Sequence, residues 1–314
     1  MTLAAQSGAE GSAGSSGPSW RERLASAWPI IVLAPSILAT FIYVFVFAGW
    51  TFYISLSNSA LMPTYGFKGF KNYLDLWGGA RWLVSYQNLF VFSAFYVVSA
   101  MAIGLILAIF IDQRIRAEAL FRTVFLYPLA ISFVVTGTVW SWIYSPDVGL
   151  QALVRHLGWT TFNFAPITHS QTALSAVVIT GVWQSSGFAM ALFLAGLRAV
   201  DPDIIKAAQI DGASVVRTYT RVILPTIAPI FIAVLVILLQ FAIKTFDLAL
   251  ALTHGGPGIA TSFPALDVYE LMFDRGQIGQ GAAGSMMILL ALAVVLVPYS
   301  FYLVWRRRKE GRNG

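Results

Sequence analysis

Residues 201–225 read DPDIIKAAQIDGASVVRTYTRVILP. A run free of Asp, Glu, Lys and Arg lies on each side, from 156 to 197 before Arg198 and from 222 to 243 before Lys244. The segment opens as a helix start: Asp201 can accept from free amides, Pro202 suits the first helical position, and Asp203 favours the positive end of the dipole. A short helix is expected to about Ile210, with Ala207 and Ala208 offering little bulk. Asp211 and Gly212 form a turn pair, because Gly tolerates positive φ. A second helix over about 213–224 has Val215, Val216, Tyr219, Val222 and Ile223 as apolar positions, and Pro225 and Pro229 then begin the next membrane helix. A long polar helix–turn–helix between membrane runs reads as a surface to be gripped, able to pass a push to the helices on both sides.

Composition agrees. The 314 residues are 58% hydrophobic and 11% charged, against about 25% charge in ordinary soluble domains. About 20 apolar residues cross a bilayer as a helix. Six windows qualify, at about Trp28–Ser55, Tyr86–Ile111, Thr123–Tyr144, Thr172–Leu197, Thr226–Leu250 and Ala283–Trp305. Pro35, Pro128 and Pro298 fall inside or at the edge of these helices, where neighbours can satisfy the freed backbone. The expected fold class is all-α, a polytopic membrane protein with six transmembrane helices in one domain over 20–314. Residues 1–19, mostly Gly, Ser and Ala, read as a disordered tail.

The net charge of +6 does not point to nucleic acid, because the basic residues flank the apolar runs. With the N-terminus cytoplasmic, fourteen Lys and Arg fall on the inner side, five on the outer, and Lys244 lies in the fifth helix. The positive-inside rule then puts both termini and the 198–225 loop in the cytoplasm. Tyr73, Leu74, Leu76, Trp77 and Trp82 suit a short interfacial helix outside, and Trp159, Phe162 and Phe164 suit the same interface in the next outer loop. Trp140 and Trp142 read as belt anchors.

Motifs of nucleotide, acyl-transfer and metal chemistry are missing. The sequence has no GxxxxGK[ST], no GxSxG and no HExxH, only three His and no Cys, so neither a catalytic nor a metal site is expected. Gly255-Gly256-Pro257-Gly258 lacks a following Lys-Ser/Thr and reads as a tight re-entrant turn. Gln240, Lys244 and Asp247 stand at i, i+4 and i+7, one face of a continuous fifth helix. That face lines a wet pathway, or Lys244 and Asp247 pair with each other near the outer interface. Trp183 and Gln184, with Ser185 and Ser186, put polarity inside the fourth helix. They serve a pathway or helix–helix packing, and packing is the reading that small and hydroxyl residues favour.

AAQIDGA (207–213) followed by ILP (223–225) resembles the cytoplasmic loop of membrane subunits of binding-protein-dependent ABC importers. That loop reads Glu-Ala-Ala, two residues, Asp-Gly-Ala, then an aromatic, an aliphatic and Leu-Pro. Ala207, Ala208, Asp211, Gly212, Ala213, Tyr219, Ile223, Leu224 and Pro225 match, while Lys206 stands where the family has Glu. ALTHGGPGIATSFPALDVYELMF (250–272) and GQIGQGAA (276–283) resemble the outer loop before the last helix in sugar permeases of the maltose-transporter type. The similarity spans roughly 86–305 and is nearest to glucose and mannose permeases, with α-glucoside permeases next.

The resemblance implies an ABC importer type I permease fold in a bacterial inner membrane. It implies a second homologous permease, an ATPase dimer that holds ATP and Mg, and a periplasmic sugar-binding protein as partners, with no cofactor in this chain. The expected cargo is a monosaccharide such as glucose or mannose; α-glucosides, glycerol phosphate or another carbohydrate are the alternatives. Lys206, Ala207, Ala208, Asp211, Gly212 and Ala213 would form the ATPase-coupling surface. An ion-driven secondary transporter is the rival class; it needs intramembrane carboxylates, and Asp247 is the one near the membrane.

Overall fold

The computed structural model of the chain describes residues 32–64, 66–113 and 116–310. The tail expected over 1–19 lies outside them, as do Trp28 and the other residues at the start of the first window. The described residues are helical, apart from loops and one isolated bridge between Ser57 and Phe67. The chain divides into two units, residues 1–50 and 51–314. In the first, helical rings four residues apart pack in pairs, Phe41 on Phe45 and Tyr43 on Phe47, with centroids 4.7 and 5.0 Å apart.

Among the described residues four helices are long and apolar enough to cross a membrane: Val32–Ser55, Ala80–Asp112, Ser170–Arg198 and Ile278–Arg306. Two bent pairs, Glu118–Ala130 with Phe133–Tyr144 and Val215–Thr226 with Ala228–Ile243, bring the number to six if each pair is one span. The second and last spans begin before their apolar windows, at Ala80 and Ile278.

The third span differs from the straight helix expected over Thr123–Tyr144: it turns by 98° between its halves. Pro128 has no N–H to give, the helix ends at Ala130, and Ser132 caps the next half by accepting from Val135 N–H at 3.3 Å. Gln184 fills the gap from the neighbouring span, its Nε2 donating to the Ile131 carbonyl at 2.8 Å. A break at membrane depth persists when other groups satisfy the freed backbone in this way.

The fifth span also departs from expectation. The helix over Ala228–Ile243 stops, Lys244 caps it, and a separate helix starts at Asp247 and runs to Thr253. Gln240, Lys244 and Asp247 therefore do not share one helical face; 3.6-residue periodicity cannot be carried across a break. Pro225 does not start this span. It sits in Leu224–Thr226, and the chain bends by 67° before Ala228.

The core of the second unit is the seam between the second and fourth spans. Ala100, Gly104 and Ala108 recur every four residues on one face of the second span, and Ala100 and Ala108 are fully buried. A methyl group on Gly104 would sit 2.6 Å from the Ala189 Cβ, so the two backbones touch. Small residues at this spacing allow such an approach, and dispersion contacts then hold helices together where lipid gives no hydrophobic advantage. Phe92, Met190, Phe193 and Leu238 fill the space around the seam.

A smaller cluster of Leu76, Trp82, Leu271 and Ala283 joins the Lys71–Trp77 helix to the last span. Trp82 was expected at the interface with Trp77, but it begins the second span and is 2% exposed. In the next loop the helix is Leu150–His156, and Trp159, Phe162 and Phe164 follow it outside any helix.

Candidate functional site

The 201–225 segment folds as its local chemistry directs. The Asp201 carboxylate accepts from Asp203 N–H at 2.9 Å, and the helix runs Pro202–Ile210. Gly212 turns the chain with φ +74°. Ser214 then caps Val215–Thr218, accepting from Arg217 N–H at 3.4 Å. The second helix is less regular than expected over 213–224: a π-turn occupies Tyr219–Ile223. That widening carries Tyr219 inward while Val215 and Val216 stay 68% and 72% exposed. Ile210 at the turn is 86% exposed. Three aliphatic side chains thus stand clear on a polar knob.

The six residues expected to couple movement fall on this knob. Ala207, Asp211 and Gly212 are exposed, Ala208 and Ala213 are half-buried, and no Cβ at 212 would meet a neighbour within 4 Å. Lys206 pairs locally, its Nζ 2.8 Å from Asp203 Oδ1 on an exposed face.

The base of the knob is tied down by polar groups. Tyr219 Oη donates to Asp112 Oδ2 at 3.0 Å and accepts from Gln113 Nε2 at 2.8 Å. Arg198 reaches Glu118 Oε1 at 2.7 Å and Asp112 Oδ1 at 3.9 Å. One network therefore joins the ends of the second and fourth spans, the start of the third, and the knob. Asp112, Glu118 and Arg198 each lie beside a span end in the sequence. No spacing rule pairs them with one another or with Tyr219, so reading along the chain missed the network.

A second polar cluster closes the opposite end. Asp267, 4% exposed at its side chain, accepts from Arg81 Nε at 2.8 Å, Ser85 Oγ at 2.5 Å and Ser262 Oγ at 2.9 Å. Arg81 also pairs with Glu270. Asn88 Nδ2 donates to the Ala260 and Ser262 carbonyls at 3.1 and 3.0 Å. The 254–277 loop is thereby fastened to the second span. Gly255–Gly258 makes the expected turn, between the helices Asp247–Thr253 and Pro264–Tyr269.

The expected pathway residues separate. Gln184 is 1% exposed and holds the break in the third span. Trp183, one residue before it, is 40% exposed, with its ring centred 5.6 Å from that of Trp140. Lys244 and Asp247 line one cavity of about 190 Å³ with Phe133, Phe241 and Thr245. Among the described residues no ion pair joins Lys244 to Asp247, and Gln240 stands apart from that lining.

Four long apolar helices and two bent helix pairs, with an exposed knob wired to three helix ends, define a multi-pass membrane protein. Solved structures share the fold. A bacterial ABC transporter for import of the acidic polysaccharide alginate superposes with a TM-score of 0.75 over 90% of this chain and 97% of that one, at 19% identity. The chain belongs to the family of binding-protein-dependent transport system inner membrane components, which matches residues 90–310. A probable ABC transporter permease protein of Pyrococcus horikoshii is 34% identical over 90% of this chain and 97% of its own length. A xylose/arabinose import permease of Haloferax volcanii is 32% identical over 81% of each. An sn-glycerol-3-phosphate transport system permease of Rhizobium meliloti is 30% identical over 90% of this chain and 96% of its own. Such subunits are transporter components and not enzymes.

Proposed function

We propose that this chain is one of two permease subunits of an ATP-driven carbohydrate importer in a bacterial inner membrane, with both termini and the 201–225 knob in the cytoplasm. A second homologous permease completes the route. An ATPase dimer, which carries ATP and Mg, grips the knob, and a periplasmic sugar-binding protein delivers cargo on the other side. A monosaccharide such as glucose or mannose is the first cargo to test. Relatives named for xylose/arabinose and glycerol phosphate support the broader class of small polyols and sugars.

The observation that carries the coupling role is the network beneath the knob. A ligand shifts a two-state protein only by binding its states differently. An ATPase that holds the knob differently when open and closed biases the spans only if the knob moves with them. Tyr219–Asp112 supplies that attachment, and Arg198–Glu118 ties the span that leads into the knob to the third span. In this reading the break in the third span, Trp183, and the Lys244–Asp247 cavity lie along or beside the route, while Gln184 keeps the break in shape.

The test is uptake of a radiolabelled sugar panel in cells with and without this subunit, together with purification in mild detergent. The expected outcome is loss of uptake of one sugar group, and an ATPase subunit that copurifies with the wild-type chain. Accumulation of sugar by vesicles that contain this polypeptide and no ATPase would refute the reading.

A further inference from the structure

A cavity of about 400 Å³ opens at the end of the fourth span that lies opposite the knob. Thr172 and Arg198 are 26 residues apart on one helix, roughly 39 Å at 1.5 Å per residue. The volume falls within the range of about 300–1,000 Å³ common for small-molecule sites. One wall is aromatic. Trp140 packs on Tyr144 with centroids 5.2 Å apart, and Phe164 lies 5.9 Å beyond Tyr144.

The remaining lining mixes apolar Ala165, Pro166, Ala176 and Ile179 with four polar side chains. Asn163 and His169 enter from the loop, and Thr172 and Ser175 from the first turns of the helix. The two hydroxyls spend their hydrogens on backbone: Thr172 donates to the Pro166 carbonyl at 2.7 Å and Ser175 to the Thr172 carbonyl at 2.6 Å. Their lone pairs remain to accept. The described residues give the side chains of Asn163 and His169 no partner, so an amide and an imidazole stand ready both to donate and to accept. No Lys, Arg, Asp or Glu lines the cavity.

We propose that this cavity is an entry subsite for an uncharged carbohydrate. A sugar ring has an apolar C–H face, which suits the face of an indole or phenyl ring. Its edge of hydroxyls suits groups that donate and accept at once. A phosphorylated or uronic sugar would bring a negative charge into a lining without Lys or Arg, and burying an unpaired charge is costly. The cavity is also continuous with the next exposed residues on its helix. Thr172, Ser175, Ile179 and Trp183 follow one another at spacings of three and four and are all exposed, and Trp183 packs edge-on against Trp140. A sugar released here meets that stripe next.

The inference rests on the carbohydrate reading above, and the test separates the two. The full importer, with both permeases and its ATPase, is placed in nanodiscs without binding protein and titrated by equilibrium dialysis with radiolabelled glucose, maltotriose or glycerol 3-phosphate. The subsite predicts saturable binding of a neutral sugar, weaker by at least fivefold in Asn163→Leu and in His169→Leu, and no comparable binding of glycerol 3-phosphate. Ser175→Trp, which fills the cavity without removing the amide or the imidazole, should abolish binding in a complex that still purifies intact. If neutral sugar binds equally to wild type and to all three variants, the subsite is overturned while the carbohydrate reading stands. Preferential binding of glycerol 3-phosphate also overturns the subsite. If Ser175→Trp alone weakens binding, Asn163 and His169 do not hold the sugar and the subsite as proposed fails. Absence of uptake of every sugar by the complete wild-type importer would remove the carbohydrate reading itself.

Discussion

Tyr219 Oη donates a 3.0 Å hydrogen bond to Asp112 Oδ2, joining the knob to the end of the second span across 107 positions of sequence. The same hydroxyl accepts from Gln113. The phenol thus sits between a carboxylate and an amide, and a movement of the knob must stretch these bonds or carry the span along.

Tyr219→Phe keeps the ring and removes the hydroxyl. A hydrogen bond to a charged group contributes about 1.5–3 kcal/mol, so the attachment should loosen by at least roughly tenfold. The variant should reach the membrane at normal levels and still retain ATPase, while sugar moved per ATP hydrolysed falls. Paired measurement of uptake and phosphate release in proteoliposomes reads this. An unchanged ratio would show that Tyr219 does not carry the movement.

Gly212 separates backbone strain from docking. Its φ of +74° costs a residue with Cβ roughly 1–2 kcal/mol, and Asn tolerates the region best after Gly. Nothing lies within 4 Å of a Cβ placed there, so Gly212→Asn should fold and insert. Loss of ATPase retention in Gly212→Asn, read by pull-down in mild detergent, would report a face that needs a small residue. Gly212→Val should lose that contact and distort the turn as well.

Asp267→Asn removes a charge held by Arg81 and two hydroxyls in a nearly closed site. Breaking a buried pair from one side costs about 3–5 kcal/mol. The melting temperature of the detergent-purified subunit should drop clearly, and proteolysis should begin in the 254–277 loop. Arg81 would keep its pair with Glu270, so adding Arg81→Met, which removes that pair too, should lower the melting temperature further.

The break in the third span has two props. A methyl group on Gly187 would overlap the Phe125 carbonyl, so Gly187→Ala should cost about 1–3 kcal/mol as overpacking. Gln184→Leu should leave the Ile131 carbonyl unpaired, at about 1–3 kcal/mol. Both losses should appear as lower melting temperatures.

Reading along the chain reached the six spans, the Asp201 cap, the short helix to Ile210 and the Gly212 turn, because each depends on residues within a few positions of one another. It also contained a signal that went unused: Ala100, Gly104 and Ala108 at four-residue spacing mark the face where the fourth span packs. The Gln240, Lys244, Asp247 pattern misled, because periodicity assumes an unbroken helix and this one stops at Ile243.

What the sequence alone determined is therefore local and statistical: which stretches prefer lipid, which residues cap helices, and where a turn must be glycine. Only the tertiary structure decided which polar groups meet. Arg81 finds Asp267 across 186 positions, Gln184 finds the Ile131 carbonyl across 53, and Tyr219 finds Asp112 across 107. The physical reason is the low-dielectric surroundings. A polar group there must be satisfied, but any of several partners could satisfy it, and packing of the spans determines which one is in reach.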